Sequence, residues 1–423
     1  MFVRNDVLVD ARVLKEAGSL RDAGHDVTIV GTSRPGASRA VEREERDGFT
    51  IVRVPLPRWR RWWRWLRAPS RLWSILRRQG DEPGSRMDGL DWVAMWRFGT
   101  LGWARAAARE AGPADVYHGH DLTGLPAAIE ARWRHAGPGA RPASLIYDSH
   151  ELYVESGATT GRPGWAVAWL IRKERSWASE ADALVTVNAA LADALGPKLG
   201  IGRVVVVHNC PPRPPATIER SDRVRAAAAI PADAPVVLYH GGLRPGRGLR
   251  QLAEAMLQPG LEAAHLAFLG FGPSRDEVAA LAAEARFGGR LHLLGPVAPD
   301  EVVDWVASVD VAAMPIQASN RSYELATPNK LFEALAAGVP VVASDFAGIR
   351  SIVVDDPDGP LGELCDPTDP ASIGLAIGRL LALPADARAD LAERCRRAAR
   401  ERWNWETESA KLVELYAELE AAG

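Results

Sequence analysis

Residues 327–350 read TPNKLFEALAAGVPVVASDFAGIR and limit the folds open to this chain. Thr327 suits an N-cap and Pro328 the first helical position. Lys330 lies in the first turn and Glu333 near the start of the second. Gly338 closes the helix, and Pro340 follows where a helix cannot continue. Val339 to Ser344 is a short apolar run that reads as a buried strand. A helix that turns at once into such a strand is a piece of a parallel α/β sheet.

The same stretch carries chemistry. A helix N-terminus presents unpaired N–H groups and a partial positive charge, which suits a phosphate. Lys330 adds a full charge beside it. Glu333, about one turn along, can accept two hydrogen bonds from a vicinal diol such as a ribose. The set suits a nucleoside diphosphate. The plainer alternative is a buried helix capping a sheet, with Lys330 solvated.

With 423 residues the chain is long enough for two domains. Its 47% hydrophobic and 25% charged residues are those of a soluble globular protein. A net charge of −3 makes no general case for nucleic acid. Cys210, Cys365 and Cys395 are too scattered for a disulfide framework or a metal site, which fits a reducing cytoplasm. No signal peptide and no run of about 18 apolar residues stands out, so nothing is expected to span a membrane.

In the N-terminal half, Met1 to Val3 is a stub of strand ahead of Asn5 and Asp6. Asp10 to Ala23 reads as an amphipathic helix with Val13, Leu14, Ala17 and Leu20 on one face. Val27 to Val30 and Thr50 to Val54 read as strands, and Trp92 to Glu110 as a helix. Asp115 to His120 and Leu145 to Asp148 are strands whose C-terminal edges carry His118, His120, Asp121, His150 and Glu151. Ligands of open α/β sheets bind beyond such edges. Between the strand ending at Val54 and the helix from Trp92 lies RWRRWWRWLRAPSRLWSILRR, Arg58 to Arg78, with eight Arg, five Trp and no acidic residue. On a helix, Trp59, Trp62 and Trp63 share one face, with Arg60 and Arg64 on or beside the other. That arrangement suits an anionic membrane surface; packing on the domain and single-stranded nucleic acid are the rival readings.

In the C-terminal half, Val236 to Tyr239 runs into HGGLRPGRG, His240 to Gly248, a glycine loop between strand and helix that can wrap phosphate. Arg244 and Arg247 strengthen that reading, because guanidinium groups pair well with phosphates. Strands follow at Ala267 to Leu269, Leu291 to Leu294 and Asp310 to Pro315, which makes a second doubly wound domain.

PNKLFEALAAGVPVVAS resembles the donor-site signature of glycosyltransferase family 4, retaining enzymes of the GT-B fold, in the subgroup with a Pro-Asn-Lys-x-x-Glu motif. The resemblance implies an α/β architecture of two Rossmann-like, doubly wound domains facing across a cleft, with the first N-terminal strand truncated here. It implies domains at 1–208 and 236–395, a linker and the start of the second domain at 209–235, and a C-terminal helix at 396–423 that crosses back to the first domain. It further implies donor binding by Gly241, Gly242, Arg244, Arg247, Gly270, Gly272, Gly295, Val297, Thr327, Pro328, Asn329, Lys330 and Glu333, with the nucleobase near Gly295 and Val297. Catalytic roles fall to His150, Arg247 and Lys330, and the acceptor side to Asn5, Asp6, His120, Asp121 and Glu151. A nucleotide diphosphate sugar is the co-substrate, with no cofactor and no metal. The acceptor is open, lipid-linked glycan included, and the expected location is the cytoplasm, on the inner face of the membrane. Two departures stand out. Gly242 occupies a position usually held by Arg, with Arg244 as a replacement two residues on. Leu325 stands where many members carry a first Glu. A sugar-nucleotide 2-epimerase of the same fold and a catalytically silent subunit are the alternatives.

Overall fold

The computed structural model describes every residue except 9, 35–39, 60–85, 139–141, 217, 219–220 and 422–423. The chain divides into two compact units, Met1–Val207 with Ser409–Gly423, and His208–Glu408.

The first unit holds strands β1 (Thr28–Thr32), β2 (Glu42–Arg46), β3 (Phe49–Val54), β4 (Val116–His120), β5 (Ser144–Ser149), β6 (Ala183–Thr186) and β7 (Val204–Val206). They run in the orders β1-β3-β2 and β4-β5-β6-β7. Phe2 bridges both sets, pairing parallel with Val30 of β1 and with Gly119 of β4. The stub at Met1 to Val3 thus fills the central place in the sheet. Gly124 lies against it: a Cβ there would stand 2.4 Å from the Phe2 carbonyl oxygen.

Three local readings change. Strand β2 was not expected, since EREER has no apolar run. It forms because Asp47 and Gly48, at φ 52° and 80°, make the tight turn of a hairpin onto β3. The expected helix from Trp92 is broken into Arg86–Ala94, a π-helical stretch Met95–Thr100 and Leu101–Ala111. The wider turn seats Trp96, fully buried, edge-on to Trp92 and Tyr153. Asp121–Arg134 is a helix that sequence reading passed over, with Pro126 inside it. Trp59 packs on Gly99 of the π-helical stretch. Arg60, Trp62, Trp63 and Arg64 lie outside the described residues.

The second unit is one six-stranded sheet: β8 (Val236–His240), β9 (His265–Leu269), β10 (Leu291–Leu294), β11 (Val311–Met314), β12 (Val341–Ser344) and β13 (Gly362–Cys365). The order is β10-β9-β8-β11-β12-β13 and every pair is parallel. The chain direction across the sheet reverses between β8 and β11. That switch point is where open sheets of this kind take ligands. The helix Asn329–Ala336 buries Leu331, Phe332 and Leu335 in the core. Its N-cap is Pro328, so Thr327 is not the cap expected above; the Thr327 hydroxyl instead donates to the Gly348 carbonyl at 3.4 Å. Residues 396–401, expected in the crossing segment, belong to the helix Ala385–Glu401, whose Cys395, Ala398 and Ala399 sit in this unit's core. The last helix, Trp405–Ala421, begins in the second unit and ends in the first. No helix among the described residues is long and apolar enough to cross a membrane.

Candidate functional site

In the second unit, β8 ends in His240 and the chain turns at Gly241, φ 105°. The loop after β9 presses on it. Gly241 N–H donates to the Leu269 carbonyl at 2.9 Å, and Leu243 N–H to the Phe271 carbonyl at 2.8 Å. The contact is so close that a Cβ on Gly270 would stand 2.0 Å from the Gly241 oxygen, and Gly270 also holds φ 154°. Gly270→Ala is therefore expected to cost roughly 2–4 kcal/mol through strain and displacement; chemical denaturation measures it, and a change below about 0.5 kcal/mol would show the loop free to move apart.

Lys330 reaches this loop, and Arg247 belongs to it. The Lys330 Nζ lies 3.7 Å above the Tyr239 ring centre and 3.5 Å from where a Cβ on Gly241 would be. The Arg247 guanidinium carbon lies 4.6 Å above the Tyr323 ring. Each cation rests on an aromatic face. Loss of water lowers the Lys330 amine to about 7, helped by the charge of Arg247 and opposed by Glu333. Two cations whose charges oppose each other, beside a glycine loop and a helix N-terminus, make a setting suited to an anion. Arg244 folds back so that its Nε lies 3.4 Å from the Cβ position of Gly242. Glu333 Oε2 accepts from His240 Nε2 at 2.9 Å, and the Glu333 side chain stays 28% exposed. Asn329 is exposed at the helix start; Gly295 and Val297 follow β10, with open space at Gly295. Leu325 is buried, and Glu324 pairs outward with Arg321 at 2.9 Å.

In the first unit, a buried charge cluster surrounds Asp148 at the end of β5. Asp148 accepts from Arg12 at 3.2 and 3.3 Å, His120 Nδ1 at 3.1 Å and His150 Nε2 at 2.9 Å. Burial alone would raise this carboxyl, but Arg12, His150, His118 and His120 hold it well below the usual range. His150 reaches Asp121 through Nδ1 at 3.2 Å, so its ring stands between two carboxylates. Burial opposes its charge, yet Asp121 and Asp148 raise its pKa well above the ordinary value. His150 is thus an imidazolium with both nitrogens engaged. Asp121, 36% exposed and at φ 54°, is the more open member of the pair. Burial raises the Glu151 carboxyl, as does the charge of Asp121. Asn5 and Asp6 shape the first loop: Asn5 Nδ2 donates to Asp10 at 2.6 Å, and Asp6 Oδ1 accepts from Leu8 N–H at 3.2 Å.

Glu16, His118, His120 and Asp148 form one group, among the described residues, whose ligand atoms lie within 4.8 Å of one another. It is an ion-pair cluster in this arrangement. Arg12 stands 2.9 Å from Glu16, and the His118 and His120 rings stack at 14° with their centres 4.4 Å apart.

Residues 234–383 match the family described as "Glycosyl transferases group 1", and residues 9–210 the "Glycosyl transferase 4-like domain". A D-inositol 3-phosphate glycosyltransferase 1 of Catenulispora acidiphila is 30% identical over 66% of this chain and 68% of its own. The chain belongs to the group 1 glycosyltransferases, family 4 in type. A D-inositol 3-phosphate glycosyltransferase of Xylanimonas cellulosilytica is 32% identical over 50% of this chain and 51% of its own. The chain thus spans about half the length of that relative. Sucrose-phosphate synthase of Thermosynechococcus elongatus superposes with a TM-score of 0.71 at 20% identity, over 97% of this chain and 93% of its own. Anabaena Alr3699/HepE, solved with UDP and glucose, gives 0.65 at 15% over 99% and 98%. These two likenesses establish the GT-B fold with its two Rossmann-like domains.

Sequence reasoning missed Arg12, Glu16, Tyr416 and His240 in this group 1 glycosyltransferase. The signal for Arg12 and Glu16 was present, since they stand at four-residue spacing in line with buried Leu20. Leu14, read as core, is only half-buried.

Proposed function

We propose that the protein transfers a hexose from a nucleoside diphosphate sugar to an acceptor hydroxyl, with retention at the anomeric carbon. Lys330 held at the Gly241 turn of a glycine loop that also carries Arg247 is the observation behind this reading. The leaving group is a nucleoside diphosphate, so the main catalytic task is to stabilise its developing charge. Arg247, Lys330, Arg244 and the amides from Asn329 onward supply that stabilisation as fixed cations and dipoles, and the reading assigns no step to a metal or a prosthetic group. Glu333 takes the ribose, and the backbone near Gly295 and Val297 the base. Acceptor binding falls to the first unit, where the His150 imidazolium holds Asp121 and Glu151 lies beside them. Two of the relatives carry the name D-inositol 3-phosphate glycosyltransferase, and the Anabaena neighbour was solved with UDP and glucose; the latter supports a nucleotide sugar as donor. A membrane-borne or lipid-linked acceptor on the cytoplasmic side fits the Trp/Arg composition of residues 58–78.

The test is incubation with UDP-, GDP- and ADP-sugars and a lipid or inositol phosphate acceptor, with proton NMR of the product. An α-linked product from an α-donor supports the reading. An inverted product would refute retention, and a free epimerised sugar would favour an epimerase.

Binding is also expected to depend on pH. Lys330 titrates near 7 without ligand, and a diphosphate holds it protonated. Below pH 7 the charge is already in place; above it, binding must take up a proton, so affinity falls by up to about tenfold per pH unit. Calorimetry at pH 8 in buffers of different ionisation enthalpy would register that uptake. A flat profile from pH 6 to 9 would contradict the role given to Lys330.

A further inference from the structure

We propose that His240 is a positioning residue that fixes the Glu333 carboxylate, and so makes the site select a ribonucleotide over its 2′-deoxy counterpart. The inference rests on the donor reading above and goes beyond it.

The rest of β8 is aliphatic or aromatic: Val236, Val237, Leu238 and Tyr239 are wholly buried. His240 is 3% exposed, and a buried imidazole is costly unless its N–H groups find acceptors. Its Nε2 stands 2.9 Å from Glu333 Oε2. A carboxylate oxygen only accepts, so Nε2 carries the proton, and the tautomer follows.

Glu333 lies on the second turn of the helix Asn329–Ala336, three residues after Lys330. Residues so spaced share a helix face, about 5–6 Å apart between Cβ atoms. That is one step from a phosphate contact to a sugar contact. Ordering a partly exposed glutamate costs side-chain entropy, and a bond already made to the protein takes that cost out of ligand binding. The hydrogen bond from His240 fixes one oxygen before any ligand arrives, while more than a quarter of the side chain stays open to a diol. His240 also begins the turn at Gly241, so the residue that orients the ribose group is joined by one peptide bond to the loop beneath the phosphate cation.

The experiment is calorimetric titration of UDP, GDP and ADP, each beside dUDP, dGDP or dADP, into the native protein, His240→Leu, His240→Gln and Glu333→Gln. The native protein is expected to prefer the ribonucleotide tenfold or more. His240→Leu should bring that ratio near one while leaving the deoxynucleotide affinity within about threefold. His240→Gln, which restores an N–H donor, should recover most of the preference. The double variant His240→Leu/Glu333→Gln should lose no more than either single one, as expected of two groups acting as a unit. Should His240→Leu not fold, His240→Asn, too short to reach Glu333, carries the same expectation. A full ribose preference in a folded His240→Leu or His240→Asn would overturn the inference and leave the donor site standing. No binding of any of the three nucleotides by the native protein would overturn the donor reading, and this inference with it.

Discussion

Lys330→Ala is expected to lower kcat/KM for the nucleotide sugar about 10³-fold, equal to roughly 4 kcal/mol of lost stabilisation on the leaving diphosphate. The amine is held over the Tyr239 ring beside Gly241, where the charge of Arg247 opposes its own. Its depressed pKa means that the folded protein bears a cost for keeping this charge, so its removal should leave stability unchanged or higher. Loss of turnover with no loss of melting temperature is the mark of a functional cation. Steady-state kinetics with thermal unfolding measures both. Turnover within threefold of the native value would remove Lys330 from the machinery, and a parallel fall in melting temperature would assign it to the core instead.

The largest stability effect is expected from Asp148→Asn. The substitution keeps shape and volume but leaves the Arg12 guanidinium and the His150 imidazolium without the buried charge that balances them. Breaking a buried ion pair on one side costs about 3–5 kcal/mol. At about 2–4 °C per kcal/mol for a unit of this size, the melting temperature of the first unit should fall by roughly 6–20 °C. The sign with pH follows from His150, whose pKa is raised in the folded state. Its contribution is full below about pH 6.5, the usual histidine value, and is lost only as pH rises through the elevated folded value. The difference between native and variant should therefore be largest in mildly acidic solution and shrink at high pH. Thermal melts from pH 5 to 9 decide this; a uniform difference of less than 1 kcal/mol would mean that water, and not Asp148, balances the cluster.

The two halves of the chain differ in how far their sites could be read from sequence. The donor elements are local. Lys330 and Glu333 share two turns of one helix, and the glycine loop from His240 to Gly248 is one continuous run, so spacing alone brought them together. Five of the six strands of the second unit, β8 to β12, are short and mostly apolar, each closed by polar or glycine-rich loops, which is why the doubly wound pattern was legible; β13, GELC, has no such run and was missed. The buried cluster of the first unit is assembled over long separations. Arg12 meets Asp148 across 136 residues, and the Tyr416 hydroxyl meets His118 Nδ1 across 298, at 3.0 Å. No local period encodes those partners. Arg12 and Glu16 look like the solvated face of an amphipathic helix until a second element is seen to carry their counter-charges. The charged hairpin strand β2 was missed for a related reason: its signal was the Asp47-Gly48 turn and not hydrophobic periodicity. The structure also changes how His150 acts. Both of its ring nitrogens face carboxylates, Asp121 and Asp148, so on the proposed reading it acts on a ligand through Asp121.

One measurement bears most directly on the donor site: calorimetric titration of UDP, GDP and ADP into the native protein at pH 7, with Lys330→Ala as control. One of the three is expected to bind with unit stoichiometry and a Kd of about 1–100 μM, worth about 5.5–8.2 kcal/mol, and to lose that binding in the variant. A folded native protein that takes up none of the three at millimolar concentration would contradict the assignment of Arg247, Lys330 and the glycine loop as a nucleotide-sugar site.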